Sequence, residues 1–236
     1  ILFKLSLNGL INNPIIVNES IIYIENTILK SASRLTGMKE WKKDLNLNNS
    51  FKLISKKHFL IGYTNDNRVV CVDSRNGKTI WKSNKNFSLQ YDPVIQDNSI
   101  YLVNKKDEIY EIINMDLSKG FINWIYSKPI IDLKVLSIPS INNELLTVKT
   151  EIKSKSLENK KVIKNILLGI DLASGKLVWE KEIIEIKDRP IITDTLLFFI
   201  NEMGMISVLD TLSGKEIPLS FEVPTIEESQ IKKVNL

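Results

Sequence analysis

The feature that most constrains this chain is a nine-residue frame: an acid, a glycine four residues later, and a tryptophan four residues after that. It reads DSRNGKTIW at Asp73, Gly77 and Trp81, DLSKGFINW at Asp116, Gly120 and Trp124, and DLASGKLVW at Asp171, Gly175 and Trp179. In SRLTGMKEW, Ser33 replaces the acid while Gly37 and Trp41 hold their places. In DTLSGKEIP, Asp210 and Gly214 fit and Pro218 stands in the tryptophan slot. All four tryptophans of the chain occupy this slot. Chance is a poor explanation for that, and the pattern marks a repeat array, whose units bury their apolar faces against one another.

The frame glycines at 37, 77, 120, 175 and 214 are spaced by 40, 43, 55 and 39 residues, the period of one four-stranded propeller blade. The rest of each unit agrees. A first strand opens on Pro14, Pro93, Pro139 or Pro190, with Lys52 in that place in the second unit. A strongly apolar second strand follows: IIYI, FLIGY, IYLV, LLTV and LLFFI. β-Branched and aromatic residues in short runs suit buried strands. Polar turns such as Asn65-Asp66-Asn67 and Asn104 to Asp107 separate it from a third strand, which runs into the frame's acid. Between acid and glycine the chain makes a tight turn, in which the glycine supplies a positive φ and the acid bonds backbone N–H groups. The tryptophan is expected to open the fourth, outer strand.

No stretch shows helical periodicity, so the expected fold is all-β: a propeller of four-stranded antiparallel blades. The expected units are 12–50, 51–91, 92–137, 138–188 and 189–223, within one propeller domain or segment over 1–236. ILFKLSL, within residues 1–8, reads as the outer strand of a preceding blade, and after Pro218 only LSFEV and a polar tail remain. Five units and an orphan strand are expected to be part of a seven- or eight-bladed ring. The fourth unit carries an insertion at 149–165, KTEIKSKSLENKKVIKN, rich in lysine. It reads as a solvated, extended hairpin or as a docking element for an acidic partner, through Lys153, Lys155, Lys160 and Lys161.

Composition narrows the function. The 32 basic and 28 acidic residues leave a net charge of +4, too weak and too scattered an excess for a nucleic-acid binder. A single cysteine, Cys71, excludes an intrachain disulfide and leaves the compartment open. No apolar run reaches the length of a membrane span. His58, the only histidine, opens an apolar strand with no nucleophile or metal ligand beside it in sequence. Neither a G-x-S-x-G elbow, nor a phosphate loop, nor Cys/His metal spacing is present. Asp66 and Asp107 fit turns better than a calcium site.

The frame resembles the tryptophan-docking repeat of the pyrroloquinoline-quinone-like propellers, whose blades end in an alanine, an acid, Thr-Gly and a tryptophan at these spacings. The alanine is not kept: Ser31, Cys71, Asn114, Gly169 and Val208 stand two residues before the acid position. The resemblance covers the whole chain and implies that each indole packs over the turn of the next blade. That makes Trp41, Trp81, Trp124 and Trp179 scaffold residues, together with Gly37, Gly77, Gly120, Gly175 and Gly214 and the acids Asp73, Asp116, Asp171 and Asp210.

Three roles occur among such propellers. Quinoprotein dehydrogenases bind the quinone and calcium in the central funnel and usually carry a vicinal cysteine pair. Non-catalytic scaffolds, typified by BamB of the β-barrel assembly machinery, act in the periplasm by presenting loops and strand edges to a membrane-embedded partner. Sensors place the propeller outside the membrane on a receptor or kinase. With no catalytic constellation in view, the expected role is the scaffold: no cofactor, no metal, and a protein partner such as a membrane β-barrel assembly protein. Contact with the membrane would then come only through a partner or a lipid anchor.

Overall fold

A computed structural model describes residues 14–107, 109–127, 133–155, 161–184, 189–201 and 204–218. The expected strands at 1–8 and in LSFEV lie outside these residues. Within them every regular element is a strand, and the chain forms five successive antiparallel sheets.

The first sheet is β1 (Ile15–Val17), β2 (Ser20–Glu25), β3 (Ile28–Ser33) and β4 (Lys39–Asp44), in that spatial order. The second repeats it with β5 (Ile54–Lys56), β6 (Phe59–Tyr63), β7 (Val69–Asp73) and β8 (Thr79–Lys82). The third follows with β9 (Val94–Gln96), β10 (Ser99–Lys106), β11 (Ile109–Asp116) and β12 (Ile122–Ser127). The fourth holds β13 (Leu133–Val135), β14 (Ser140–Ile141), β15 (Leu145–Lys155), β16 (Lys161–Asp171) and β17 (Leu177–Ile183). The fifth holds β18 (Ile191–Ile192), β19 (Leu196–Ile200) and β20 (Ile206–Asp210), followed by an isolated bridge from Leu209 to Glu216. This is the architecture of a β-propeller.

Burial explains the strand sequences. Second and third strands pack on both faces, so VVCVD in β7 is buried throughout and cannot alternate with polar residues. Outer strands face solvent: in KEWKKD of β4 only Trp41 is drawn partly inward. The core is therefore not one cluster but a series of walls between consecutive sheets. Ile22, Ile24 and Leu29 of the first sheet meet Leu60, Val70 and Val72 of the second. Ile61, Val69 and Cys71 meet Ile100, Leu102, Ile113 and Met115 of the third. Tyr101, Val103 and Ile112 meet Leu146, Val148, Leu168 and Ile170 of the fourth. Leu145, Leu167 and Trp179 meet Leu197, Phe199 and Leu209 of the fifth. Each fully buried aliphatic side chain contributes roughly 1.5–3 kcal/mol.

Two features differ from the sequence reading. The tryptophan does not open the outer strand; it is the third residue of β4, β8, β12 and β17 alike, because pairing begins two residues earlier, just past the frame glycine. The lysine-rich segment of the fourth unit is an extended hairpin, as the sequence reads, but the strand before it joins the same sheet. β15 and β16 pair without interruption from Leu145 opposite Asp171 to Lys155 opposite Lys161. The preceding segment, β13, adds itself to β15 with Leu133 opposite Ile152, placing it in the fourth sheet although it precedes the expected boundary at 138.

Candidate functional site

The frame turn is built identically five times. The backbone N–H of each frame glycine donates to the carbonyl of the acid position, at 2.8–2.9 Å from Gly37 to Ser33 through Gly214 to Asp210. All five glycines have φ between 65° and 73°, the left-handed region that side chains resist. Acid-position side chains close the turn by accepting amide N–H groups: Oδ1 of Asp73 from Arg75, of Asp116 from Ser118 and Lys119, of Asp171 from Ser174, and of Asp210 from Ser213. Ser33 does the same with its hydroxyl, more weakly, at 3.3 Å.

These bonds set the carboxyl chemistry. The Arg75 guanidinium, 2.6 Å from Asp73, holds that carboxyl down at about 2. Burial pushes the Asp116 carboxyl up, but bonds from the Ser118 hydroxyl and from the Lys119 and Ser118 amides prevail and lower it. The Ser213 hydroxyl and amide lower Asp210. These acids are turn staples, ionised and occupied.

The indoles reach across to the next sheet's turn. Nε1–H of Trp41 donates to the carbonyl of Ser74 at 3.2 Å, that of Trp81 to Leu117 at 2.9 Å, that of Trp124 to Leu172 at 3.0 Å and that of Trp179 to Thr211 at 2.7 Å. In each case the acceptor is the residue after the acid position. The ring lies directly on that turn's glycine: a Cβ added to Gly77, Gly120, Gly175 or Gly214 would fall 2.5–2.6 Å from the ring of Trp41, Trp81, Trp124 or Trp179. Glycine is thus required twice, for its φ and for the ring above it. Pro218 has neither an indole N–H nor an aromatic ring to offer, so the fifth frame lacks this link.

Across the strand from each indole lies the position where the family pattern has alanine. Ser31 is opposite Trp41, Cys71 opposite Trp81, Asn114 opposite Trp124 and Gly169 opposite Trp179, and in each pair the register slips by one residue immediately beyond. Gly169 lets Trp179 settle deepest; an added Cβ there would come 2.3 Å from Cε2.

The remaining candidates are occupied otherwise. Cys71 is fully buried, and burial pushes its thiol up to about 12, so it stays protonated and inert. His58 stacks on Phe59 with ring centroids 4.1 Å apart, and its carbonyl accepts the Ser74 amide. Asp66 pairs with Lys82 at 2.9 Å, and Asp107 sits in a turn at φ 47°.

The fourth-sheet hairpin is the longest of the five among the described residues. Its strands run eleven residues each, against five to eight in the other four hairpins, those of β2–β3, β6–β7, β10–β11 and β19–β20. β13 braces its middle, and Val135 is itself anchored by the Tyr91 hydroxyl at 3.2 Å. The register places Lys153, Lys155 and Lys161 on one side of the hairpin. Lys160 lies outside the described residues. Beyond Ile152 on one edge and Asn165 on the other, no described strand pairs with the hairpin. Nearer the base, Lys164 pairs with Glu182 at 2.8 Å.

A sequence-family profile described as outer membrane protein assembly factor BamB matches residues 25–229. The chain belongs to the BamB family. No curated protein sequence matches it. Among solved structures, BamB from Moraxella catarrhalis is similar at 13% identity and a TM-score of 0.50, over 89% of this chain and 76% of that one. A europium-containing methanol dehydrogenase is similar at 12% identity and a TM-score of 0.67, over 90% of this chain and 52% of its own. Quinohemoprotein alcohol dehydrogenase from Comamonas testosteroni follows at 15% identity and 0.64, over 90% and 43%. At such identities the likeness is one of fold, and the chain spans about half or less of either dehydrogenase.

This BamB-family chain also differs from the quinone- and calcium-binding plan in its residues. Among the described residues no three His, Cys, Asp or Glu side chains converge to hold a metal ion. Its single cysteine is a buried neutral thiol rather than one of a vicinal pair. The described residues do not fit that cofactor set. No helix among them is long and apolar enough to cross a membrane.

Proposed function

We propose that this chain is a non-enzymatic interaction scaffold in outer-membrane β-barrel protein assembly, working outside the cytoplasm. The observation that carries this reading is the BamB family match across residues 25–229. The frame supports it: acids, glycines and indoles are consumed in holding sheets together, which leaves edges and hairpins as the parts available to a partner.

The fourth-sheet hairpin is the proposed contact. Lysine-bearing strands whose outer edges, beyond Ile152 and Asn165, pair with no described strand offer attraction to an acidic surface together with strand pairing, which tolerates varied sequence. The partner is a membrane β-barrel assembly protein with an acidic extramembrane surface. Replacing Lys153, Lys155, Lys160 and Lys161 together by glutamate is expected to weaken binding to that protein's extramembrane domain at least about tenfold at low salt, with a flattened salt dependence. Unchanged affinity across the salt series would remove the hairpin from the interface. A chain that bound no assembly protein even with its lysines intact would remove the scaffold reading.

The similarity in fold to the two dehydrogenases favours one second reading, a quinone- and calcium-binding domain. The two separate in a melting experiment. A scaffold is not stabilised by pyrroloquinoline quinone with calcium, whereas a site filled to a hundred times its Kd adds about 2.7 kcal/mol.

A further inference from the structure

The residue before the frame glycine is Thr36, Asn76, Lys119, Ser174 or Ser213, so only the second frame reads Asn-Gly. That dipeptide carries a reaction of its own. The glycine nitrogen, with no Cβ in its way, can attack the asparagine carboxamide carbon and expel ammonia. The five-membered succinimide that results is opened by water to aspartate or isoaspartate. In the second sheet the electrophile is ready. Asn76 is exposed, and its Oδ1 accepts the Lys78 amide N–H at 2.9 Å, a bond that polarises the carboxamide carbonyl. The nucleophile is not ready. Gly77 is buried, its N–H donates to the Asp73 carbonyl at 2.8 Å, and the Trp41 ring lies on it. Ring closure requires this nitrogen to give up its proton and pivot toward Cγ of Asn76. That movement breaks the bond to Asp73 and needs room that the indole fills. The indole is itself held by its N–H on the Ser74 carbonyl.

We propose that Asn76-Gly77 is a deamidation site that the Trp41 seam keeps closed, reacting only when the first and second sheets part locally. In the step, the bond from the Gly77 nitrogen to Cγ of Asn76 forms and the Cγ–Nδ2 bond breaks. The Gly77 proton leaves with the amide nitrogen as ammonia, and one water then opens the ring. Opening at Cγ leaves an aspartate in an ordinary backbone. Opening at the main-chain carbonyl leaves an isoaspartate, whose backbone runs through the side chain and is one methylene longer. The extra length falls inside the turn that the Gly77 bond to Asp73 closes. The isoaspartate product therefore cannot seat the Trp41 ring again, and the damage is confined to one of the four seams. The other Asn-Gly of the sequence, Asn8-Gly9, lies outside the described residues.

The test is peptide mapping of the full chain after incubation at mildly alkaline pH, native and in denaturant. Cleavage before Asp73 and Asp92 releases the fragment 73–91, in which mass spectrometry locates the change at residue 76 and counts both products. Native conversion should be at least about tenfold slower than conversion in denaturant. Trp41→Phe, which keeps a ring but drops the bond to Ser74, should raise the native rate at least about threefold. Trp124→Phe, which loosens a seam two further along, should leave it unchanged. Equal rates in native and denaturing conditions would overturn the proposal, as would a Trp41→Phe rate no different from the parent's. So would equal acceleration by Trp41→Phe and Trp124→Phe, which would place control in global unfolding rather than at this seam.

Discussion

The indole N–H of Trp179 donates to the carbonyl of Thr211 at 2.7 Å, thirty-two residues further along the chain, and its ring covers Gly214 of the same turn. The bond joins the outer strand of one sheet to the turn of the next, and it recurs at three other seams. Trp179→Phe keeps most of the ring but orphans the Thr211 carbonyl in a buried setting, at a cost of about 1–3 kcal/mol. Trp179→Ala removes the packing too and is expected to cost about 3–5 kcal/mol. Urea unfolding of both variants checks the order.

The frame glycine is held by two constraints that substitution can separate. Gly120 has φ 73° and the Trp81 ring 2.5 Å from where a Cβ would sit; Gly204 has φ 78° and nothing within 4 Å. Gly204→Ala is expected to lose only the backbone cost, about 1–2 kcal/mol. Gly120→Ala adds a steric clash and should lose about 2–5 kcal/mol in total. Similar losses at both positions would mean that the ring is not the constraint.

At the position opposite the indole, the family's alanine is not interchangeable with what stands here. Gly169→Ala would put a Cβ 2.3 Å from Trp179, so the ring must lift off its turn. The expected result is red-shifted tryptophan emission and a loss of about 1–3 kcal/mol. Cys71→Ala, beneath Trp81, shrinks a side chain that already fits and should cost less than about 1.5 kcal/mol without moving the emission.

Much of this architecture was legible in the residues, and the exceptions have physical causes. The frame showed itself because φ, hydrogen bonding and ring contact act at fixed spacings, and second and third strands because burial on both faces leaves them apolar throughout. The linkers were not legible. Leu47, Leu53, Phe87 and Leu89 are buried plugs in the walls between sheets, yet isolated apolar residues in polar segments carry no period. Lys52 replaces the expected proline because its amide donates to Asp92 at 2.9 Å, a bond proline cannot make. The fourth-sheet hairpin was legible as an extended hairpin, and Thr150, Ile152 and Ile166 face inward there; the pairing of Leu133 with Ile152 on its edge was not. For the candidate contact, sequence supplied the charges, but only the register showed that Lys153, Lys155 and Lys161 share a side.

Acid should loosen the turns in a defined window. The Asp73 carboxyl lies at about 2 in the folded chain, below an unfolded value of about 3.9. A depressed carboxyl contributes stability that is complete above the unfolded value and is lost as pH falls through the folded one. Asp116 and Asp210 are lowered in the same direction. The melting temperature should therefore hold above about pH 5 and fall between about pH 4 and pH 2. Arg75→Ala should make that fall smaller and end it at higher pH, with its onset unchanged, because it removes the main cause of the Asp73 shift. A profile unaltered by Arg75→Ala would contradict this assignment.

Hydrogen exchange of the four indole N–H protons tests the central claim directly, since each is said to bind one sheet to the next through a carbonyl on the neighbouring turn. Resolved by nitrogen-edited NMR, the Nε1 protons of Trp41, Trp81, Trp124 and Trp179 should all exchange far more slowly than free indole, and all four should shift when their acceptor turns are disturbed. Exchange of these protons at the rate of free indole would show that no such seam exists.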